Sequence, residues 1–325
     1  MGRRGARGWA IVRAMSERIE IFDRRAVRRH RERAAGTLSA HDFLLREVAG
    51  RLAERLDDVT RRFPLALDLG CHDGALGRAL AGRGGIETLI QADLSPAMAR
   101  KASEAGRPAL AADEEALPFA EASFDAVFSL LSLHWVNDLP GALIQVRRAL
   151  KPDGLFLAAL LGGETLKELR AALIAAEAEV EGGASPRVSP FADVRDLGGL
   201  LQRAGFALPV ADVDDIAVSY PDAFKLMADL RGMGEANALS DRRKSLSRRA
   251  TLMRAAELYA ERHAGADGRV PATFQVIYLT AWAPHGSQPK PLAPGSARSR
   301  LAEALGSEER PAGDKADPRP GGRKT

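Results

Sequence analysis

Leu45, Val48, Leu52, Leu56 and Val59 recur at spacings of three and four, the period of an amphipathic helix, and Pro64 stops it. Leu65-Ala66-Leu67-Asp68-Leu69 follows as a short apolar strand that runs into the turn Gly70-Cys71-His72-Asp73-Gly74 before a helical pattern resumes at Ala75. The alternation continues. Residues 88–92 read as a second strand ending at Asp93, and Ser95-Pro96 supplies an N-cap and first helical position. Residues 109–112 give a third strand ending at Asp113, and 124–129 a fourth. Residues 138–150 form a helix with Leu139, Leu143, Val146 and Leu150 on one face, Lys151-Pro152-Asp153-Gly154 turns the chain, and 155–160 follow as a fifth strand. Strands and helices in this order, joined by right-handed crossovers, predict an α/β, doubly wound parallel sheet.

Beyond the fifth strand, Leu166, Leu169, Leu173 and Val180 mark a helix ended by Gly182-Gly183, and Ser189-Pro190 begins another that stops at Gly205. Residues 206–213 and 273–281 supply two more strands. Between them, 214–265 is expected to be a helical cover over the substrate, carrying the Gly232-Met233-Gly234 turn and the Arg242-Arg243-Lys244 run.

The ends differ in character. Residues 1–20 read as a basic flexible arm, in which Arg3, Arg4, Arg7 and Arg13 account for the whole net charge of +4. Met15 is a second candidate start. With residues 1–15 set aside, 43 basic and 43 acidic residues balance, which removes the main argument for a nucleic-acid partner. Residues 21–284 are the expected folded domain. Residues 285–325 hold six of the 18 prolines and almost no aliphatic periodicity, so they are expected to be disordered. The single cysteine, Cys71, excludes an intramolecular disulfide framework and a Cys-rich metal site. No apolar run approaches 18 residues, so membrane insertion is not expected. The basic cluster from Arg24 to Arg33, interleaved with Glu32, reads as a solvated helix face, with a ligand- or partner-facing lid as the alternative. Nothing in the pattern sets an oligomeric state.

Candidate chemistry gathers at the strand ends. Asp68, Asp93 and Asp113 each close a consecutive strand, at the edge where open α/β sheets bind ligands. Three acids in succession suit a ligand with several separated donors, and a fixed charge at Asp68 suits an ammonium or sulfonium centre rather than a pyrophosphate. Gly70 and Gly74 would let the backbone approach it. The main rival, NAD, lacks its G-x-G-x-x-G fingerprint here. No catalytic residue can be named. Of the six histidines, only His30-Arg31-Glu32 offers a ligand pair, and residues two apart on a helix diverge, so no metal site is expected.

Asp68-Leu69-Gly70-Cys71-His72-Asp73-Gly74, Asp93, Asp113-Glu114-Glu115-Ala116-Leu117-Pro118-Phe119, Ser123-Phe124-Asp125, His134-Trp135 and Leu150-Lys151-Pro152-Asp153-Gly154 together resemble the class I S-adenosylmethionine-dependent methyltransferases. The resemblance implies a Rossmann-like seven-stranded sheet with a helical cover and S-adenosyl-L-methionine as cofactor. It places Asp68 on the methionyl amino group through water, Gly70 and Gly74 along the methionine, Asp93 on the ribose, and Asp113 with the Glu114 amide on the adenine. Leu94 and Met98 would pack beside the adenosine or belong to the core. Cys71, His72 and Ser129 complete the cofactor-binding candidates, and His134 and Trp135 are substrate-lining candidates. His72 stands where the family has a glycine, with its ring either pointing outward or reaching the cofactor carboxylate or substrate. Cys71 reads as a small buried filler.

More narrowly, the run Ser132 to Pro140, Glu181-Gly182-Gly183, Ser189-Pro190-Phe191, Gly232-Met233-Gly234-Glu235 and Val270-Pro271-Ala272-Thr273 resemble the family of mitochondrial complex I assembly factors described as protein-arginine hydroxylases. This implies a bacterial relative that modifies a respiratory complex I subunit and assists its assembly, cytoplasmic or held peripherally at the inner membrane through that complex. Two alternatives stay open: an O-methyltransferase of a small molecule or acyl carrier, as in biotin synthesis, and a non-catalytic assembly chaperone.

Overall fold

The computed structural model describes residues 20–289, 301–307 and 313. Its strands are β1 (Leu65–Leu69), β2 (Thr88–Asp93), β3 (Ala109–Ala111), β4 (Phe124–Leu130), β5 (Leu150–Leu161), β6 (Ala207–Tyr220) and β7 (Val270–Trp282). They form one sheet in the order β3-β2-β1-β4-β5-β7-β6, parallel through β5, with β7 antiparallel between β5 and β6. The order reverses between β1 and β4, which makes the carboxyl ends of these two strands the binding crevice. The doubly wound sheet expected from the alternation is therefore present, with its antiparallel pair.

The helices are α1 (Arg24–Ala34), α2 (Phe43–Glu54), α3 (Ala75–Leu80), α4 (Pro96–Ser103), α5 (Leu139–Ala149), α6 (Lys167–Glu181), α7 (Val194–Arg203), α8 (Ala223–Met233) and α9 (Arg249–His263). Because side chains alternate along a strand, the sheet feeds two apolar cores. Ala66, Phe128, Leu157 and Tyr278 enter one with α2, α3, α6 and α9, whereas Leu67, Val127, Phe156 and Ile277 enter the other with α5 and α7. Burial on both faces explains why the central strands read as unbroken apolar runs.

Four boundaries differ from the sequence reading, the first being that α2 ends at Glu54 and leaves Leu56 and Val59 beyond it. The strand β6 continues through 214–220, which had been assigned to the cover, because it is an edge strand whose acids answer basic residues of α2: Arg55 binds Asp212 at 2.7 and 2.9 Å, and Arg51 binds Asp214. The helix expected from Ser189-Pro190 starts at Val194 instead, where the Asp193 side chain accepts the Arg195 N–H at 2.8 Å. The Lys151-Pro152-Asp153-Gly154 turn is absorbed into β5 as an irregularity, with Asp153 at φ +63° and its N–H donating to the Ala283 carbonyl at 3.1 Å.

Of the two terminal segments, residues 1–19 and most of the stretch after 289 lie outside the described residues, and with them the flexible-arm and disordered-tail expectations. Within that tail, Leu301–Leu305 forms a short helix. Among the described residues no helix is long and apolar enough to cross a membrane.

Candidate functional site

The carboxyl ends of β1 and β2 bring Asp68 and Asp93 into the interior, each with no exposed surface. Among the described residues neither Asp68 oxygen has a hydrogen-bond partner, and the nearby Gln91 amide lies outside bonding geometry. Burial pushes the Asp68 carboxyl up to about 7, tempered by Gln91 and reinforced by Asp93. An unpaired buried carboxylate is costly, and one at a ligand-binding edge marks a place where a cationic or donating group belongs.

Asp93 is fully engaged. Its Oδ1 accepts the Ser95 N–H at 2.8 Å, and its Oδ2 accepts the His72 N–H at 3.0 Å and Arg31 Nη1 at 3.2 Å. The same Arg31 nitrogen donates to Glu114 Oε1 at 3.2 Å, while Nη2 donates to the Ser132 hydroxyl, which in turn donates to Glu114 Oε1 at 2.7 Å. Arg24 closes the cluster by pairing with Glu114 Oε2 and with Asp113 Oδ1 at 2.7 Å. Burial opposes ionisation of Glu114, yet Arg24 and Arg31 hold its carboxyl down at about 2. Thus Glu114, expected to act through its backbone amide, contributes its side chain.

Arg24 and Arg31 were not singled out by the sequence reading. They lie seven residues apart on α1 and so share a face, and Arg31 is buried to 1% while Arg28 and Arg29 point to solvent. One helix thus carries a solvated face and, on the opposite side, a buried one. Helix α1 is fastened to the cover by the Asp23 N–H donating to the Ala238 carbonyl at 2.8 Å and by Arg242 on Asp23 at 2.9 Å. The i, i+7 spacing was the signal that could have found it.

The glycines of the turn face the chain itself. At Gly70, φ +75°, a Cβ would lie 2.1 Å from the Ser132 hydroxyl, and at Gly74, φ +83°, it would lie 2.9 Å from Gln91 Nε2. His72 adopts φ +50°, and its ring is buried rather than outward. Nε2 lies 3.0 and 3.2 Å from the Leu130 and Leu131 carbonyls, so it carries the proton and donates, which leaves Nδ1 as a buried acceptor without a partner among the described residues. Burial, and Arg31 nearby, lower the His72 pKa and keep the ring neutral. The ring therefore ties the turn to the end of β4. Glycine in its place should relieve the positive φ, worth about 1 kcal/mol, but strand two carbonyls and open a hole, at about 2–4 kcal/mol. Thermal melting of His72→Gly should accordingly fall, and an unchanged midpoint would show that the ring holds nothing.

The remaining candidates separate. Cys71 is buried, and burial pushes its thiol well up, so it is no thiolate at neutral pH. The Ser129 hydroxyl donates to the Leu69 carbonyl at 2.7 Å, and Met98 is wholly inside the main core. Leu94 packs with Phe22, Ala26, Val27 and Trp135. His134 and Trp135 converge on Glu235, with His134 Nε2 at 3.1 Å and Trp135 Nε1 at 2.8 Å from its Oε2. Among the described residues no group of three or more His, Cys, Asp or Glu is placed to hold a metal ion.

Next to this trio lies a cavity of about 220 Å³ between α6, α8, β7 and the segment around Phe191. Its walls are mostly Leu, Met and aromatic, Trp135 among them. A narrow cleft reaches from Glu235 past Met233 and Leu131 to His72. The cavity and the turn that carries His72 are thereby neighbours.

Residues 67–158 match the model of a methyltransferase domain. The chain is 46% identical to the arginine-hydroxylase NDUFAF5 of Danio rerio, mitochondrial, over 88% of this chain and 89% of that protein. The human counterpart is 47% identical, over 88% and 83%. A malonyl-[acyl-carrier protein] O-methyltransferase of Methylovorus is 38% identical, over 87% and 98%. The crystal structure of a protein from Bacillus halodurans, assigned as a methyltransferase, superposes with a TM-score of 0.51 at 16% identity, over 73% of this chain and 99% of that one, which shows the shared fold. The crevice at the β1–β4 switch, the acids at its strand ends and these likenesses agree: the chain belongs to the class I S-adenosylmethionine-dependent methyltransferase superfamily and, within it, to the family of the arginine-hydroxylase NDUFAF5.

Proposed function

We propose that this protein binds S-adenosylmethionine at the β1–β4 crevice and hydroxylates an arginine of a respiratory complex I subunit, assisting assembly of that complex. The observation that carries this reading is the identity of 46% spread over 88% of the chain, which takes in the cover and cavity as well as the cofactor turn. Substrate choice resides in such cover segments.

The residues of the crevice fit the cofactor's chemistry. The unpaired Asp68 carboxylate suits the ammonium group, and Asp93 and Asp113 offer acceptors to ribose and adenine donors. S-adenosylmethionine, when bound, supplies an electrophilic sulfonium centre. Arg31 and Arg24 hold the same carboxylates, so these arginines must withdraw before the nucleoside can reach Asp93, Glu114 and Asp113. Hydroxylation replaces C–H by C–OH and requires an oxidant besides the cofactor. In this reading the protein is cytoplasmic and meets its substrate where complex I is assembled.

A second reading, O-methylation of an acyl-carrier substrate, is favoured by the Methylovorus likeness, which spans nearly all of that enzyme. Mass spectrometry of intact complex I subunits from wild-type and deletion strains separates the two. Loss of about 16 mass units from one subunit in the deletion strain is the expected result. Loss of about 14 would mean methylation, a biotin requirement would point to the acyl carrier, and normal, fully assembled complex I would overturn the assembly role.

A further inference from the structure

The cavity beside the cofactor turn carries one acid among its lining residues, Glu235, and that acid is half committed. Its Oε2 takes both donors offered to it, His134 Nε2 and Trp135 Nε1. Oε1 receives no hydrogen bond among the described residues, and the side chain, 12% exposed, lines the cavity. Glu235 directly follows Gly234, whose φ of +87° ends α8, and its side chain is among those that line the cavity. Burial disfavours its charge, but His134 and Arg31 keep its pKa below the ordinary glutamate value, so it is anionic at neutral pH.

Among the described residues, neither of the two arginines that line the cavity is bound to Glu235. Arg187 is bound to Glu177 at 2.7 Å and to the Ser247 hydroxyl at 2.7 Å, and Arg231 is exposed in the last turn of α8. A carboxylate at the end of an apolar chamber calls for a cation on a hydrocarbon stem. Two features select guanidinium over ammonium. Trp135 and Phe191 both line the chamber, with His134 5.7 Å from Phe191, and flat guanidinium groups stack on such faces. A guanidinium also has parallel N–H donors for a carboxylate edge.

We propose that Glu235 is the binding residue for the guanidinium of a substrate arginine, whose methylene stem lies along the Leu and Met walls of the cavity. This rests on the arginine-modifying reading above and gives it a site. Glu235 also borders the cleft that leads to His72, so a guanidinium held by its carboxylate lies at the entrance to that cleft. An anionic acyl acceptor would meet repulsion at the same point.

The test titrates the full-length protein, saturated with S-adenosylmethionine, with Nα-acetyl-arginine methylamide and with the citrulline derivative, a neutral isostere, by calorimetry or ligand-observed NMR. The arginine compound should bind about tenfold tighter, the scale of one charge-assisted contact. Glu235→Gln, which can still accept from Trp135, should abolish the preference while leaving citrulline binding unchanged. Equal affinities in the wild type, or a preference that survives in Glu235→Gln, would overturn the assignment. Should the variant fail to fold, the wild-type comparison decides alone. A Glu235-dependent preference without a difference of 16 mass units in the deletion strain would refute hydroxylation and leave the guanidinium site standing, whereas the mass difference without the preference would refute the site alone.

Discussion

Replacing Arg31 by alanine should destabilise the apoprotein by about 3–5 kcal/mol and at the same time tighten S-adenosylmethionine binding by about tenfold or more. The first effect follows from burial. Arg31 is 1% exposed and bridges Asp93, Glu114 and Ser132, so its removal leaves two ionised carboxylates in the interior with fewer partners and a hole the size of its side chain. For a chain of this size the melting midpoint should fall by roughly 10 °C. The second effect follows from competition. If the cofactor needs Asp93 and the adenine-side acids, its apparent affinity is reduced by the fraction of molecules in which Arg31 holds them, and the substitution removes that reduction. Differential scanning calorimetry and cofactor titration on one preparation read both signs. Weaker binding in Arg31→Ala would mean that the guanidinium contacts the cofactor instead of competing with it.

This arrangement also shows what the sequence could and could not disclose. The strands β1 to β5 were legible because each is a short apolar run closed by a turn, and the crevice acids because they sit at strand ends. Both signals are local. The pairing of Arg31 with Asp93 and Glu114 spans 62 and 83 residues and has no local trace beyond its spacing from Arg24. Six arginines in the eleven residues of α1 resemble a solvated face, and only the burial of Val27 and Ala34 beside Arg31 tells one side from the other. Glu235 was visible as part of a motif but not as a charge in a cavity, since that depends on how α8 ends and on Trp135 from a loop 100 residues earlier. The continuation of β6 was hidden for a related reason: Asp214 looks like a cover residue until Arg51 reaches it from α2.

Asp68→Asn should stabilise the apoprotein at pH 8 by up to about 4 kcal/mol, have no effect near pH 4, and weaken S-adenosylmethionine binding by tenfold or more at pH 8. In the folded protein the Asp68 carboxyl titrates at about 7, because burial without a partner opposes its charge. In the unfolded chain it titrates near the ordinary value of about 3.9. Between these two values the folded state holds a proton that the unfolded state has released, so stability falls as pH rises through this interval and levels off above it. The contribution is therefore fully present below pH 4 and lost above pH 7, opposite to a salt-bridged aspartate. Asparagine cannot ionise, and its melting curve should lack this slope. Cofactor binding runs the other way. If the carboxylate faces the methionyl ammonium, it must be ionised, and wild-type affinity should drop about tenfold between pH 8 and pH 6 while the affinity of Asp68→Asn stays low and flat. Melting and titration across pH 5 to 9 test both limbs. A wild-type affinity independent of pH, or an asparagine variant that binds as well as the parent, would remove Asp68 from the cofactor site and leave its unpaired burial to be explained by the fold alone.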